Sequence, residues 1–443
     1  MRQPRRSSRH AMRHLTLVLA SVVLTVGGCA HPRPEIDQAS VTRILTTLSA
    51  DDMQGRRAFT PAATKAAEFI NDQFGKIGLD HFDGLRDYLQ DFPVYRVTVD
   101  SHVVTLNGRR IPDDHAALFV SGPLHWTGDS TIRVLAVGPD ENPMEVLGPV
   151  IFGGRDNTLV LLDPAHEQLF QRLRRFAQRG SQVLDPTAGA NTVVVLTNEP
   201  RAMVVEVDVA ATASETGRLA NVVGVIPGRR ADELVLFTAH YDHLGIVAPV
   251  DGDSIANGAN DDASGTTAVI ELARYFKALG RPDRTLVFVA FAAEEIGGFG
   301  SRYFAGQVDP DSVVAMFNIE MIGKPAAEGP HRAWITGFDK SDFGRILAAA
   351  VPDSVFTFYA DPYPDQGLFE RSDNAVFARL GVPAHSISTT PIDTDRDYHH
   401  VSDEIGTLDL AHVTATIRAI AEAAEPIVSG TATPTRIAAT ARQ

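Results

Sequence analysis

Five short clusters of histidine and carboxylate punctuate the second half of the sequence. They are His240-Tyr241-Asp242, Asn260-Asp261-Asp262, Glu294-Glu295, Glu320, and a run from Asp393 to His400 that holds Asp395, Asp397, Tyr398 and His399. The chain has one cysteine in 443 residues, so no thiolate cluster and no internal disulfide is available. Any metal must be held by imidazole and carboxylate. Those donors together suit zinc, and a catalytic zinc keeps three protein ligands and an open position for water. Two such sites sharing one carboxylate need two histidines and three acids. His240, Asp261, Glu295, Glu320 and His399 supply that number. Glu294 is left free beside a ligand, suited to take a proton from water. Each cluster alone has a plainer reading: a hydrogen-bonding histidine at a strand end, a solvated acid pair, an N-cap, a polar loop. Together they carry more, because the elements around them bring them to one place.

Those elements read as alternating strands and helices from residue 221 onward. Apolar runs at 233–239, 285–292, 313–319 and 382–388 have the texture of buried parallel strands. Each ends in one of the clusters or runs into a loop that carries one. A helix is predicted at 264–279, with Val269, Leu272, Ala273, Phe276 and Leu279 on one face and Gly280 ending it. Another is predicted at 407–424. The expected fold is a three-layer α/β/α domain with a mostly parallel mixed sheet. In such sheets ligands bind outside the carboxyl ends of the strands. Acid and imidazole clusters gathered there would repel one another unless cations were bound.

Upstream, Thr60-Pro61 opens a helix whose stripe is Ala67, Ile70, Phe74 and Ile77, stopped by Gly78. Between 92 and 215 the texture turns to short β-rich runs, such as 96–99 and 103–106, with an Arg-rich amphipathic helix at 166–179 between strands at 158–163 and 191–197. This reads as a β-rich inserted subdomain; edge strands and long loops of the main domain are the alternative. The expected organisation is a signal at 1–28, a tether at 29–39, the two parts of one catalytic domain at 40–91 and 216–428 flanking the 92–215 insert, and a flexible tail at 429–443.

The N-terminus carries Arg2, Arg5, Arg6, Arg9 and Arg13, then an apolar run from Leu15 to Val26, then Gly27-Gly28-Cys29. This is the pattern of a secretory signal, too short to span a bilayer comfortably. Small residues directly before the sole cysteine resemble a lipoprotein signal, in which Cys29 becomes the lipidated N-terminus; a simple cleaved signal is the alternative. The expectation is an exported cell-envelope lipoprotein, facing the periplasm or the cell surface and held to the membrane by its N-terminal lipid. With 40 basic against 55 acidic residues the net charge is −15. That balance argues against nucleic acid as a partner, which calls for a basic face.

The segments from Ala239 to Gly245, Gly258 to Gly265, Ala292 to Gly297 and Asn318 to Gly323 resemble the co-catalytic dizinc exopeptidases. That family includes secreted bacterial aminopeptidases and glutamate carboxypeptidase, with glutaminyl cyclases as single-zinc relatives. Asp397-Tyr398-His399 followed by Asp403 is similar to its last ligand motif, and 48–56 to its N-terminal segment. In several bacterial members a protease-associated insert lies where 92–215 lies here. The resemblance implies that His240 and Glu320 bind one zinc, Glu295 and His399 the other, and that Asp261 bridges. It implies Glu294 as general base and then acid, Asp242 orienting His240, and Tyr398 donating to the oxyanion. Glu320 stands where many members have Asp, and Arg371-Ser372-Asp373-Asn374 departs from the common Ser-Asp-His. The expected function is a two-zinc aminopeptidase acting on peptides. The rivals are a carboxypeptidase on the same scaffold, to which Arg302, Arg371 or Arg396 could lend a carboxylate pocket, a single-zinc glutaminyl cyclase-like acyltransferase, and a noncatalytic binding module.

Overall fold

Four strands buried along most or all of their length lie side by side and point the same way. In a computed structural model of the protein, which describes residue 1 and residues 33–438 apart from 129–130, 154–155 and 200, they belong to a twelve-stranded sheet. The signal segment and Cys29 lie outside the described residues. Residues 35–443 form one compact unit.

The elements used below are, in chain order, α1 (Gln38–Leu48), α2 (Pro61–Ile77), β1 (Leu89–Leu106), β2 (Ala116–Phe119), β3 (Arg133–Val137), α3 (Pro143–Gly153), β4 (Thr158–Leu162), α4 (Glu167–Ala177), β5 (Thr192–Leu196), β6 (Val205–Ile226), β7 (Arg230–His240), α5 (Gly265–Leu279), β8 (Arg284–Phe291), α6 (Phe299–Ala305), β9 (Val313–Ile319), β10 (Arg332–Ile335), α7 (Phe343–Ala350), β11 (Thr357–Ala360), α8 (Asn374–Ala378), β12 (Ala384–Ser388) and α9 (Leu410–Val428). The main sheet runs β11-β10-β12-β9-β7-β8-β6-β1. Its centre, β12-β9-β7-β8, is parallel throughout. β6 and β10 flank that centre antiparallel.

Alternation along each central strand divides its residues between two cores. Phe237, Phe288 and Phe317 stack across β7, β8 and β9, with ring centroids 5.3 and 4.9 Å from Phe237. They pack against α1, α2, α5, α7 and α9. Leu236, Val287, Val289 and Met316 point the other way, against Phe304 of α6 and Phe377 of α8. The sheet is therefore the middle of three layers, as the strand texture implied.

The segment between β1 and β6 departs from the short runs expected there. β1 and β6 are single antiparallel strands of 18 and 22 residues, paired from Leu89↔Val222 to Leu106↔Val205. Irregularities at Ala210/Ala211 and Glu215/Gly217 break their register and let the ribbon bend. Residue 221, where the alternating strands and helices are expected to begin, thus lies near the end of β6 rather than at the start of a strand. At the far end of the ribbon, β2-β5-β4-β3 form a separate four-stranded sheet. One face of that sheet packs on the ribbon through Leu159, Leu161, Val193 and Val195. The other is covered by Leu147 of α3 and Phe170 and Leu173 of α4.

The tail expected to be flexible from residue 429 is instead held as far as residue 438. Arg284 donates to the carbonyls of Ile427 and Ala432 at 2.8 and 2.7 Å. Arg436 donates to those of Pro310 and Val313, and Ile437 is buried beside α8 and β9. Small polar residues hide such a docking, because the partners that hold it are backbone carbonyls.

Arg56, in the turn before α2, is fully buried. It donates to the carbonyls of Leu48, Tyr241, Asn257 and Gly258 at 2.5–2.8 Å. The guanidinium thus ties the N-terminal segment to both loops that follow β7, with Asp403, Asp242, Asp261 and Asp262 near enough to feel its charge. A lysine carries donors from one point and cannot span four carbonyls. Arg56→Lys is expected to leave at least two of them unpaired and to destabilise the fold by about 2 kcal/mol or more. Urea unfolding followed by circular dichroism reads this; an unchanged midpoint contradicts it.

Candidate metal centre and active-site cleft

All four central strands end at one edge of the sheet, and the clusters meet there. His240 is the last residue of β7. Its Nδ1 lies 3.1 Å from the main-chain oxygen of Asp242, so it carries the proton and donates there. That leaves Nε2 as a free lone pair. Asp242 was expected to orient His240, and it does so with its backbone; its carboxylate is 3.8 Å from Nδ1 and instead accepts the Glu294 N–H at 3.0 Å. A sequence names the residue but not which of its oxygens the turn will present.

Asp261 sits in the bend before α5. Asp403 fixes that bend by accepting the N–H groups of Asn260 and Asp261 at 2.9 and 3.0 Å. Asp262 accepts the N–H of Met321 at 3.0 Å and so ties the bend to the loop after β9. Glu294 and Glu295 follow β8, after Ala293 at φ 61°, and Glu320 follows β9. Ser372 donates to the outer oxygen of Glu320 at 2.7 Å. Tyr398 and His399 come from the loop after β12. Lys324 clamps that loop, reaching Asp395 and, at 2.7 Å, Asp397.

The resulting distances have a simple pattern. His240 Nε2 lies 3.2 Å from Asp261 Oδ1 and 3.2 Å from Glu320 Oε1. His399 Nε2 lies 3.3 Å from Asp261 Oδ2 and 3.2 Å from Glu295 Oε2. Charge-assisted N–H···O bonds close to about 2.7–2.9 Å. Ligand atoms around a tetrahedral zinc, each about 2.0–2.1 Å from the ion, stand about 3.3 Å apart. The two sets match that edge length, and Asp261 contributes one oxygen to each. The residues present therefore fit two cations with imidazole and carboxylate donors.

In the metal-free chain the cluster takes up protons instead. Burial pulls the His240 imidazole down, but Glu320 and Asp261 raise it well above its ordinary value. Burial also opposes protonation of His399, yet Asp261 and Glu295 push it up to about 10. Glu294 is pushed well above the usual carboxylate range by burial, partly offset by His240 and reinforced by Asp373, Glu320 and Glu295.

His243 was not singled out as a site residue. It is buried, and its Nδ1 lies 2.8 Å from Glu295 Oε1 and 3.8 Å from Asp261 Oδ2. The shorter distance is a hydrogen bond rather than a ligand edge. His243 thus holds the outer oxygen of Glu295 while the inner one faces His399. Its place in the run His240-Tyr241-Asp242-His243 was the available signal. Lys324 gave none, and Arg56 only its place in the 48–56 segment, since the partners of both are remote in sequence.

The cleft above these residues is walled by Trp334, Thr336, Leu368, Arg371, Ile392 and Tyr398. Tyr398 stacks on the His399 ring, centroids 4.0 Å apart. Of the three arginines considered for a carboxylate pocket, only Arg371 lines the cleft; Arg302 lies instead over the ring of Phe299.

Comparison with known proteins agrees with this picture. A probable zinc metalloprotease of Leptosphaeria maculans is 39% identical over 118 residues, 26% of this chain and 27% of that protein. Aminopeptidase YwaD of Bacillus subtilis is 31% identical over 108 residues, 23% of this chain and 22% of that one. The chain thus aligns with about a quarter of the length of these curated relatives. Among solved structures, the aminopeptidase from Aneurinibacillus sp. strain AM-1 superposes with a TM-score of 0.51 at 18% identity, over 92% of this chain and 97% of that one. BSAP, described as a zinc aminopeptidase from Bacillus subtilis, gives 0.53 at 17% identity, over 91% and 98%. These two share the fold. Residues 221–424, which hold His240, Asp261, Glu294, Glu295, Glu320 and His399, match the model of peptidase family M28.

Proposed function

We propose that the protein is a two-zinc aminopeptidase that removes N-terminal residues from peptides. The observation that carries this reading is the pair of ligand sets around Asp261, each with 3.2–3.3 Å edges. His240, Glu320 and Asp261 form one set, and Glu295, His399 and Asp261 the other. Bound zinc ions acidify water and polarise the scissile carbonyl. The chain's own residues do the rest. Glu294 belongs to neither set and lines the cleft beside both. It accepts the proton of the attacking water and returns it to the leaving amine. The Tyr398 hydroxyl donates to the carbonyl oxygen as negative charge develops on it. Two complete ligand sets speak against a single-zinc acyltransferase, and a free Glu294 beside them speaks against a noncatalytic module. The names of the relatives, zinc metalloprotease and aminopeptidase, support the same reading.

From the sequence at 1–29 alone we propose export and lipid attachment at Cys29. No helix among the described residues is long and apolar enough to cross a membrane, so Cys29→Ser is expected to move the protein from the membrane to the soluble fraction with turnover unchanged. Retention in the membrane pellet rules out Cys29 as the anchor.

Glu294→Gln keeps shape and removes proton acceptance. It is expected to lower kcat by at least about 10²-fold with zinc content unchanged, whereas Glu295→Gln lowers zinc occupancy. Near-normal turnover of Glu294→Gln, or loss of its zinc, contradicts the roles assigned within this pair.

A further inference from the structure

Arg371 is the only lysine or arginine among the residues lining the cleft. It is solvent-exposed, and among the described residues it donates to two neutral oxygens, Gln366 Oε1 at 3.4 Å and Tyr398 OH at 3.3 Å. Both contacts are long for a charged donor, and no carboxylate of the described residues lies within ion-pairing distance of it. A guanidinium offers five donors in a fixed fork that fits a carboxylate bidentately. Opposite it the cleft holds four carboxylates, Asp261, Glu294, Glu295 and Glu320. On the two-zinc reading, two divalent ions cancel those four charges. Among the groups that line the cleft, the charge of Arg371 is then left over, so its guanidinium gives that wall a local positive charge that attracts an anion.

We propose that Arg371 binds a carboxylate of the substrate three or four bonds from the scissile carbonyl carbon. This rests on the two-zinc peptidase reading and names its substrate class. The placement follows from Tyr398. Its hydroxyl is the group assigned to the scissile oxygen, and Arg371 Nη2 lies 3.3 Å from it. A carboxylate on the guanidinium fork is therefore within one residue of the reacting carbon. Two substrate features supply that chemistry. In a dipeptide, the terminal carboxylate of the second residue is three bonds from the scissile carbon. In a peptide beginning with Asp or Glu, the side-chain carboxylate is three or four bonds from it. An interior amide at the same place offers no charge to match.

Two substrate pairs separate the sources, assayed with the zinc-loaded full chain. Leu-Gly against Leu-Gly amide reads the terminal carboxylate; Asp-Gly amide against Asn-Gly amide reads the acidic side chain. In at least one pair the carboxylate member is expected to be preferred by roughly 10- to 100-fold in kcat/KM, expressed in KM, as charge-assisted hydrogen bonds imply. Arg371→Gln is expected to abolish that preference, and Arg371→Lys to restore part of it. Equal kcat/KM within both pairs overturns the proposal. So does an Arg371→Gln variant that slows all four substrates by one factor, since Arg371 then only positions Tyr398. Calorimetric binding of the four peptides to the zinc-loaded Glu294→Gln chain reads the same ratios without turnover. Discrimination there with no hydrolysis by the native chain contradicts the peptidase reading and leaves the anchor standing; no discrimination there overturns the anchor.

Discussion

The structure depends on an electrostatic constraint: like charges are forced together at one edge of a parallel sheet. Asp242, Asp261, Asp262, Glu294, Glu295, Glu320, Asp373 and Asp403 crowd the carboxyl ends of four adjacent strands, and burial raises the cost of ionising most of them. Such a group of anions is costly to assemble unless positive charge is placed among them. The chain supplies one buried cation, Arg56, whose four hydrogen bonds all go to backbone carbonyls rather than to any single acid. It can therefore offset the field without neutralising a ligand. On the two-zinc reading, two divalent cations in front of the cluster would supply most of the remaining positive charge.

Every group that touches this centre is held by another that does not. Asp261 is fixed through its backbone by Asp403, Glu320 by Ser372, Glu295 by His243 and His240 by the main chain of Asp242. The loop bearing His399 is clamped by Lys324. Metal-binding residues need such partners to fix the tautomer of the imidazoles and the direction of the carboxylates. Here the partners come from at least four separate segments. The centre thus exists only when the whole sheet edge is assembled.

The strand ends and the acids and histidines gathered there were legible because two signals coincide. A run buried on both faces reads as unbroken apolar sequence, and an acid or histidine directly after it has only the sheet edge to occupy. The long ribbon of β1 and β6 carries no such signal. Its residues alternate between buried and exposed with breaks at two irregularities, so each strand reads as several short ones. The docked tail was equally hidden, since it is held by arginines reaching backbone carbonyls. The choice between the carboxylate and the carbonyl of Asp242, and the reach of His243 to Glu295, depend on turn geometry that residue type alone leaves open.

Anomalous scattering at the zinc edge, from crystals of the zinc-loaded protein, tests the central claim most directly. Two peaks are expected about 3.5–4 Å apart, one among His240, Glu320 and Asp261 and the other among Glu295, His399 and Asp261. A single peak, or a second ion held by His243 in place of His399, would contradict the account.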